Sequence, residues 1–239
     1  MSTDFLDATA VYRSYLLWIC FTYISKTSTV ENDRISSINY TMSHKPFSQA
    51  CENNKTPILE IIRHVFANTR YVLEIGSGTG QHACYFAKHL AHLVWQPTDK
   101  PENILGINLW QETSAQVNLK PAIALDITDE LWPCDNIEAV FTANTLHIMS
   151  EQTIQIGFDQ LSKRLNPKAL MCIYGPFNYN GRYTCDSNAQ FDSWLKSQNP
   201  ISGIKNIEDI VLLATNRGLS LINDFDMPAN NRLLVFQNS

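Results

Sequence analysis

From residue 56 onward, the apolar positions of the chain change between helical spacing and short continuous runs. Helical spacing predicts helices over residues 57–66, 81–90, 102–112, 153–165 and 207–217, with Pro57 in the first turn of the first one. Short β-prone runs predict strands over residues 71–75, 93–96, 122–125, 139–142, 170–174, 219–224 and 233–237. Alternating strands and helices favour a parallel sheet covered on both faces, the doubly wound α/β class.

A glycine-rich turn ends the first predicted strand. Residues 74–80 contain Gly76, Gly78 and Gly80, three of the nine glycines in the chain. Glycine tolerates positive φ and lets a ligand lie directly on the main chain, and the following helix would aim its unpaired N–H groups at the turn. We therefore predict a nucleoside-cofactor site here. The alternative is a turn that is rich in glycine only because a helix packs closely on a strand.

The spacing of these glycines distinguishes between two classes of cofactor. The dinucleotide pattern G-x-G-x-x-G, started at Gly76, would need a third glycine where Gln81 stands. The sequence has E-x-G-x-G-x-G instead, which resembles the first motif of the class I S-adenosylmethionine-dependent methyltransferases. The resemblance implies S-adenosylmethionine as the cofactor, and the motif residues implied to hold it are Glu74, Gly76, Ser77, Gly78 and Gly80.

The two C-terminal strands support the same resemblance. No predicted helix separates them, so they would form a hairpin. In class I methyltransferases the seventh strand inserts antiparallel beside the fifth. The resemblance therefore implies a Rossmann-like, doubly wound sheet of seven strands in the order 3-2-1-4-5-7-6, with strand 7 antiparallel.

Three polar residues follow predicted strands, at the edge where open α/β sheets bind their ligands. Asp99 follows the second strand and can accept both hydrogens of a ribose diol, the alternative being a surface turn. Asp126 closes the third strand at the methyltransferase position near the adenine amino group, the alternative being a helix cap. Asn144 follows the fourth strand, which would place its amide near the methyl donor.

Asn144 and His147 are the catalytic candidates. Transfer of a methyl group from a sulfonium is an in-line displacement, so catalysis consists mostly of positioning, and a base is needed only for a protonated nucleophile. His147 titrates in the range of such a base. A histidine that only satisfies a loop hydrogen bond is an equally good interpretation.

Residues 47–236 resemble one small family, the methyltransferase-like 26 proteins. The matching phrases are FSQACENN with PIL, LEIGSGTGQH, WQPTD, LDI, NTLHI, YGPF and DMPANN. In the family pattern, alanine commonly stands at the position of Gly76 and serine at that of Thr98. The motifs do not identify the acceptor of the methyl group.

Polar phrases at strand ends opposite the cofactor predict a pocket for that acceptor. Their polarity favours a small polar molecule or a protein side chain. The residues predicted to line this pocket are Tyr174, Asn178, Arg182, Asn230 and Asn231.

Composition limits the partners further. The net charge is −5 and no run of lysine or arginine occurs, so the chain lacks the basic face that nucleic acid binding needs. Six cysteines without C-x-x-C pairs or metal-ligand spacing favour reduced thiols, a cytoplasmic location and no metal site. The apolar stretch at residues 15–24 is too short for a membrane span and lacks the basic lead-in of a signal peptide.

Residues 1–41 differ in character from the rest of the chain. They predict an N-terminal extension, poorly ordered or with a short helix, before a methyltransferase-like domain over residues 42–239. Met42 offers an alternative start of translation. The N-terminal residues have no counterpart in the family that the rest of the chain resembles.

Three functions stay open at this point. The first is a methyltransferase of unknown acceptor, and the second is a non-catalytic binding or scaffold module that keeps the same fold. The complete set of acids and glycines argues against the second. A nicotinamide-dependent oxidoreductase is the third, opposed by Gln81 and by the C-terminal hairpin.

Overall fold

A computed structural model describes residues 45–239, so the predicted extension over residues 1–41 and the alternative start at Met42 lie outside the described residues. The helices are α1 (Gln49–Val65), α2 (Gln81–His89), α3 (Pro101–Gln111), α4 (Glu151–Ser162), α5 (Asp186–Gln198) and α6 (Ile207–Thr215). The strands are β1 (Tyr71–Ile75), β2 (Val94–Asp99), β3 (Ile123–Ala124), β4 (Ile137–Ala143), β5 (Leu165–Gly175), β6 (Phe177–Asn178), β7 (Lys205–Asn206), β8 (Leu219–Met227) and β9 (Asn231–Asn238).

Seven of these strands form one sheet in the order β3-β2-β1-β4-β5-β9-β8. Strands β1 to β5 are parallel, with Leu73 of β1 level with Gln96 of β2 and Val140 of β4. The last strand in the sequence, β9, inserts antiparallel between β5 and β8. The predicted fold class, strand order and antiparallel seventh strand are therefore confirmed, with β8 and β9 as the sixth and seventh strands.

The hydrophobic core lies in two layers because successive strand residues point to opposite faces of the sheet. Val72 and Phe141 face the layer that contains residues of α1 and α2. Leu73 and Val140 face the layer that contains residues of α4 and α6. All four side chains are fully buried. Helices on both faces leave the carboxyl ends of the parallel strands as the edge where a ligand can approach.

The main error of the sequence prediction concerns α1. Its predicted start at Pro57 is wrong, because the helix begins at Gln49 after the N-cap Ser48, and Pro57 lies inside it. A proline at that place removes one N–H donor but does not stop the helix. Helix α5 and the short strand pair β6–β7 were not predicted at all. The polar sequence of α5 hides its helical period.

Between residues 45 and 239, no helix is both long and apolar enough to cross a membrane. Over the same residues, no group of three or more histidine, cysteine, aspartate or glutamate side chains is arranged to hold a metal ion.

Candidate cofactor site

A cavity of about 480 Å³ opens at the carboxyl ends of β1, β2 and β4. The glycine-rich turn after β1 forms its floor through Gly76, Ser77 and Gly78, and the acids at the ends of β2 and β3 form one side. Of the predicted cofactor-binding residues, those on the cavity wall are Gly76, Ser77, Gly78, Asp99, Asp126 and Asn144. The topology of the sheet therefore brings together residues that are far apart in the sequence.

The glycine turn owes its shape to backbone conformations that favour glycine. Gly76, Gly78 and Gly80 have φ of 71°, 57° and 86°. A Cβ on Gly76 would lie 2.6 Å from Cγ2 of Thr145, and one on Gly80 would lie 3.0 Å from the Cα of Ile107. Gly80 therefore lets α2 pack closely on α3, a helix-on-helix contact and not the helix-on-strand packing of the alternative interpretation, and it lies off the cavity wall.

Glu74 supports the turn from behind the cavity. Its Oε2 accepts hydrogen bonds from the Ser77 hydroxyl at 2.8 Å and from the Trp95 indole N–H at 3.0 Å. Burial raises the pKa of Glu74 to about 7, although both hydrogen bonds act in the opposite direction. Glu74 is 2% exposed and contributes no surface to the cavity, so its contacts fix the turn to β2.

Asp99 is held in a defined orientation at the end of β2. Its Oδ2 accepts the Gly78 N–H at 2.6 Å, and its Oδ1 accepts the Lys100 N–H at 2.7 Å and the Asn103 amide at 2.8 Å. A carboxylate offers about four acceptor positions, two on each oxygen. Three are used, which leaves one on Oδ2 for a ligand in the cavity.

Asp126 is both a turn residue and part of the cavity wall. Its Oδ1 accepts the Thr128 N–H at 3.0 Å and the Thr128 hydroxyl at 2.8 Å, while its Oδ2 lies 3.3 Å from Lys100 Nζ. Burial would raise the pKa of Asp126, but the hydrogen bonds of Thr128 and the charge of Lys100 outweigh it and lower the pKa. The carboxylate is thus charged at neutral pH, and Asp126 lines the cavity.

Asn144 and His147 have different positions relative to the cavity. Asn144 has φ of 59° directly after β4, a conformation that costs energy outside glycine, and its backbone N–H is tied to the Tyr174 carbonyl at 2.8 Å. It lines the cavity. His147 does not line it: the ring is buried and lies 5.3 Å from the Phe191 ring. Burial lowers the pKa of His147 to about 3, with Lys205 acting in the same direction.

The predicted acceptor residues lie off the cavity wall. Tyr174 is buried in the core layer beside α1, and Asn178 is buried in β6. Arg182 and Asn230 are exposed, whereas Asn231 is partly buried at the start of β9. The structure therefore does not bring these five residues together with the cofactor candidates around one cavity.

Residues that were not predicted complete the wall. Ser48 and Cys51 come from the first turn of α1, His82 from the start of α2, and Leu195 and Gln198 from the end of α5. A signal for the α1 contribution was present in the sequence, since a serine with an acid four residues later is typical of a helix start. No comparable pattern marked the end of α5.

The chain matches the model of a protein family described as "Protein of unknown function (DUF938)", over residues 45–238. This match covers nearly all of the described residues. The narrower resemblance to methyltransferase-like 26 proteins stays a prediction.

Solved structures of methyltransferases share the fold. An O-methyltransferase family protein from Burkholderia thailandensis aligns with a TM-score of 0.74 and 14% identity, covering 100% of this chain and 74% of that one. The S-adenosylmethionine-dependent methyltransferase SibL, in its apo form, aligns with a TM-score of 0.69 and 15% identity, covering 96% of this chain and 74% of the SibL chain. The structure of PigF with SAH aligns with a TM-score of 0.65 and 12% identity, covering 77% of this chain and 55% of the PigF chain.

This chain is shorter than these neighbours. It spans 55% of the PigF chain and 57% of the TnmH chain, another structure that it resembles. At such low sequence identity the likeness establishes the Rossmann-like methyltransferase fold and no more.

Proposed function

This chain belongs to the DUF938 family, and we propose that it is an S-adenosylmethionine-dependent methyltransferase. One observation carries the proposal: Asp99 is fixed by the Gly78 N–H and keeps one free acceptor position facing the cavity beside the glycine turn. A ribose hydroxyl is the donor that such an acid commonly accepts at the end of the second strand. The same cavity continues to Asn144 at the end of β4.

The residues present fit the cofactor chemically. Asp99 would accept a ribose hydroxyl, and Asp126 Oδ2 would accept an adenine amino hydrogen. The backbone of Ser77 and Gly78 would approach the methionine part of the molecule, because no side chain stands on Gly78 to keep it away. The first turn of α2 adds a positive dipole end for a carboxylate.

When bound, S-adenosylmethionine supplies a methyl group on a positively charged sulfur. The protein then has to hold the acceptor in line with that methyl group and exclude water. For this reaction, such positioning lowers the activation barrier more than acid–base chemistry does. We assign to Asn144 the task of orienting the acceptor, because it is an amide on the cavity wall at the end of β4. The acceptor is a small polar molecule or a protein side chain.

The role of His147 as a base stays a prediction that its burial does not favour. With a pKa lowered to about 3 by burial, the ring is a weak proton acceptor, and it does not line the cavity. The second candidate is a non-catalytic binding or scaffold module that keeps the same fold. Binding of the cofactor separates the two candidates, because the methyltransferase requires it and the scaffold module does not.

Calorimetric titration of the full chain with S-adenosylmethionine, S-adenosylhomocysteine and NAD tests the proposal. We expect binding of the first two and none of NAD. Gly78→Val should abolish that binding, because a branched side chain at φ 57° would enter the cavity. Gly218→Val is the matched control, since Gly218 also has positive φ but lies off the cavity wall, at the start of β8. Absence of binding by the wild-type chain would overturn the proposal.

A further inference from the structure

Gln81, the residue that breaks the dinucleotide glycine pattern, connects the glycine turn to the first turn of α1. Its Oε1 accepts the backbone N–H of Ser48 at 2.6 Å and the hydroxyl of Thr79 at 3.0 Å. Its Nε2 donates to Glu52 Oε1 at 2.6 Å. Gln81 is 2% exposed, and its hydrogen bond with Thr79 is buried, whereas those with Ser48 and Glu52 are partly buried.

This connection sets the position of one wall of the cavity. Ser48, Ala50 and Cys51 line the cavity from the first turn of α1, opposite the glycine turn. Ser48 Oγ caps the helix by accepting the Cys51 N–H at 3.3 Å. The backbone N–H of Ser48 itself donates to Gln81, so the start of α1 is tied to α2.

A second contact joins the same two helices one turn further along. His82 Nε2 lies 2.6 Å from Asn54 Oδ1, and both residues are buried. Burial lowers the pKa of His82 to about 4, so the ring is neutral at physiological pH and Nε2 donates its hydrogen to the asparagine oxygen. His82 also stacks on Phe86 with 5.2 Å between ring centroids. This stacking contact orients the His82 ring toward Asn54.

We infer that Gln81 is a positioning residue, which holds the first turn of α1 against the glycine turn so that Ser48 and Cys51 close the cofactor cavity. The inference rests on the proposed function, because it concerns the same cavity. A glutamine suits this position since it accepts from the backbone and a hydroxyl while it donates to a carboxylate. Glycine, which the dinucleotide pattern would place here, could make none of these contacts.

Exchanging the side chains of Gln81 and Glu52 tests this inference. Gln81→Glu places two carboxylates at hydrogen-bond distance and removes the donor to Glu52, so we expect the Kd for S-adenosylhomocysteine to rise about tenfold or more. The double variant Gln81→Glu with Glu52→Gln restores one donor between the two side chains and leaves the acceptors for Ser48 and Thr79. We expect it to return the Kd to within about threefold of the wild-type value.

Two further variants keep the test interpretable. Gln49→Glu adds the same charge in the first turn of α1, where Glu52 also lies, but Gln49 is off the cavity wall, and we expect this variant to leave the Kd unchanged. Glu52→Leu removes the carboxylate that accepts from Gln81, at a partly exposed position, and leaves the glycine turn unchanged. It replaces Gln81→Glu in the test if that variant does not unfold cooperatively and is therefore not folded. We expect Glu52→Leu to raise the Kd about threefold or more.

Hydrogen exchange of the free protein adds a readout that does not need the cofactor. We expect Gln81→Glu to speed exchange in residues 48–52 and the double variant to reverse that change. Unchanged affinity and exchange in Gln81→Glu and Glu52→Leu, or an affinity loss that the double variant does not reverse, would overturn the inference and leave the proposed function standing. Failure of the wild-type chain to bind S-adenosylhomocysteine would overturn both.

Discussion

The carboxylate of Asp99 accepts the backbone N–H of Gly78, with 2.6 Å between Oδ2 and the nitrogen. This single contact joins the end of β2 to the middle of the glycine turn. Because the acid is already oriented, a ligand that binds it does not have to order a mobile side chain, and the entropic cost of binding is smaller. The same contact holds Gly78 at the positive φ that keeps the cavity floor open.

Replacement of Asp99 should separate cofactor binding from folding. We expect Asp99→Ala to weaken binding of S-adenosylhomocysteine about 10- to 100-fold, the range for loss of a hydrogen bond to a charged group. Calorimetry measures the affinity, and thermal unfolding monitored by circular dichroism shows whether the fold persists. Asp135→Ala, an exposed acid paired with Arg164, is the control and should bind normally. Normal affinity in Asp99→Ala would show that the cavity is not the cofactor site.

The buried carboxyl group of Glu74 should make stability depend on pH. Its pKa is raised from 4.5 to about 7 in the folded chain, chiefly by burial, so the folded state keeps a proton that the unfolded state loses. The stability that this group contributes is therefore present below pH 4.5 and is lost as the pH rises to about 7. We expect Glu74→Gln to gain stability relative to the wild type between pH 5 and about pH 7.

Urea unfolding at several pH values between 5 and 8 measures this difference. Glu138→Gln is the control, because hydrogen bonds from Arg70 lower the pKa of Glu138 and move its titration below that window. Its stability difference from the wild type should stay constant between pH 5 and 8. A difference for Glu74→Gln that is equally constant would show that Glu74 is ionised throughout.

A methyl group on Gly76 should meet the side chain of Thr145. Gly76→Ala combines a φ of 71° with a contact of 2.6 Å to Thr145 Cγ2, and we expect a loss of about 2 kcal/mol in the free energy of unfolding. Thr145→Ser removes that methyl group but keeps the Oγ1 hydrogen bond with Thr142, at 2.7 Å. In a double-mutant cycle the pair should be less destabilised than the sum of the single variants. Additive losses would contradict the contact.

Gly157 gives Ile127 the room to form part of the cavity wall. A Cβ on Gly157, inside α4, would lie 2.6 Å from Ile127 Cγ1 and would also overlap Cδ1. Alanine favours helix by about 1 kcal/mol over glycine, yet we expect Gly157→Ala to destabilise the chain by about 1–3 kcal/mol because Ile127 must move. We also expect weaker binding of S-adenosylhomocysteine, since Ile127 lines the cavity.

The double variant Gly157→Ala with Ile127→Ala removes the side chain that would be displaced. We expect it to be at least as stable as Ile127→Ala alone, because the gain in helix propensity is then no longer opposed. Denaturant unfolding of the four proteins measures this. A double variant less stable than both single variants would show that α4, and not Ile127, yields to the new methyl group.

The sheet and the glycine turn could be predicted because their signals are local. Residues 71–73 are an apolar stretch shortly before closely spaced glycines, and the predicted strand over residues 71–75 has the bounds of β1. The order of the strands came from resemblance, since parallel pairing leaves no mark in the sequence of one strand. The carboxyl ends of the strands then placed Asp99 and Asp126 on one side of the cavity.

The part of the cavity wall that α5 provides could not be predicted in the same way. Helix α5 carries buried Asn188 and Asp192 together with Leu195, so its inner face is partly polar and lacks an apolar stripe. Asp192 is satisfied there by Lys196 of the same helix and by the Tyr183 hydroxyl and the Ile204 N–H, two contacts from outside the helix that its own sequence does not show. The contacts of Gln81 could not be predicted from the sequence either, because its partners in α1 lie far away along the chain.

The place of β9 between β5 and β8 has a consequence for synthesis on the ribosome. Both neighbours of β9 are made before it, yet each must wait for residues Asn231–Asn238 to complete its hydrogen bonds. Strand β5 is the last parallel strand of the sheet, so one of its edges has no partner in the nascent chain until β9 has been made. The seven-stranded sheet is completed only when β9 has left the exit tunnel, whereas the strands around the glycine turn, β1 to β4, are all made well before that.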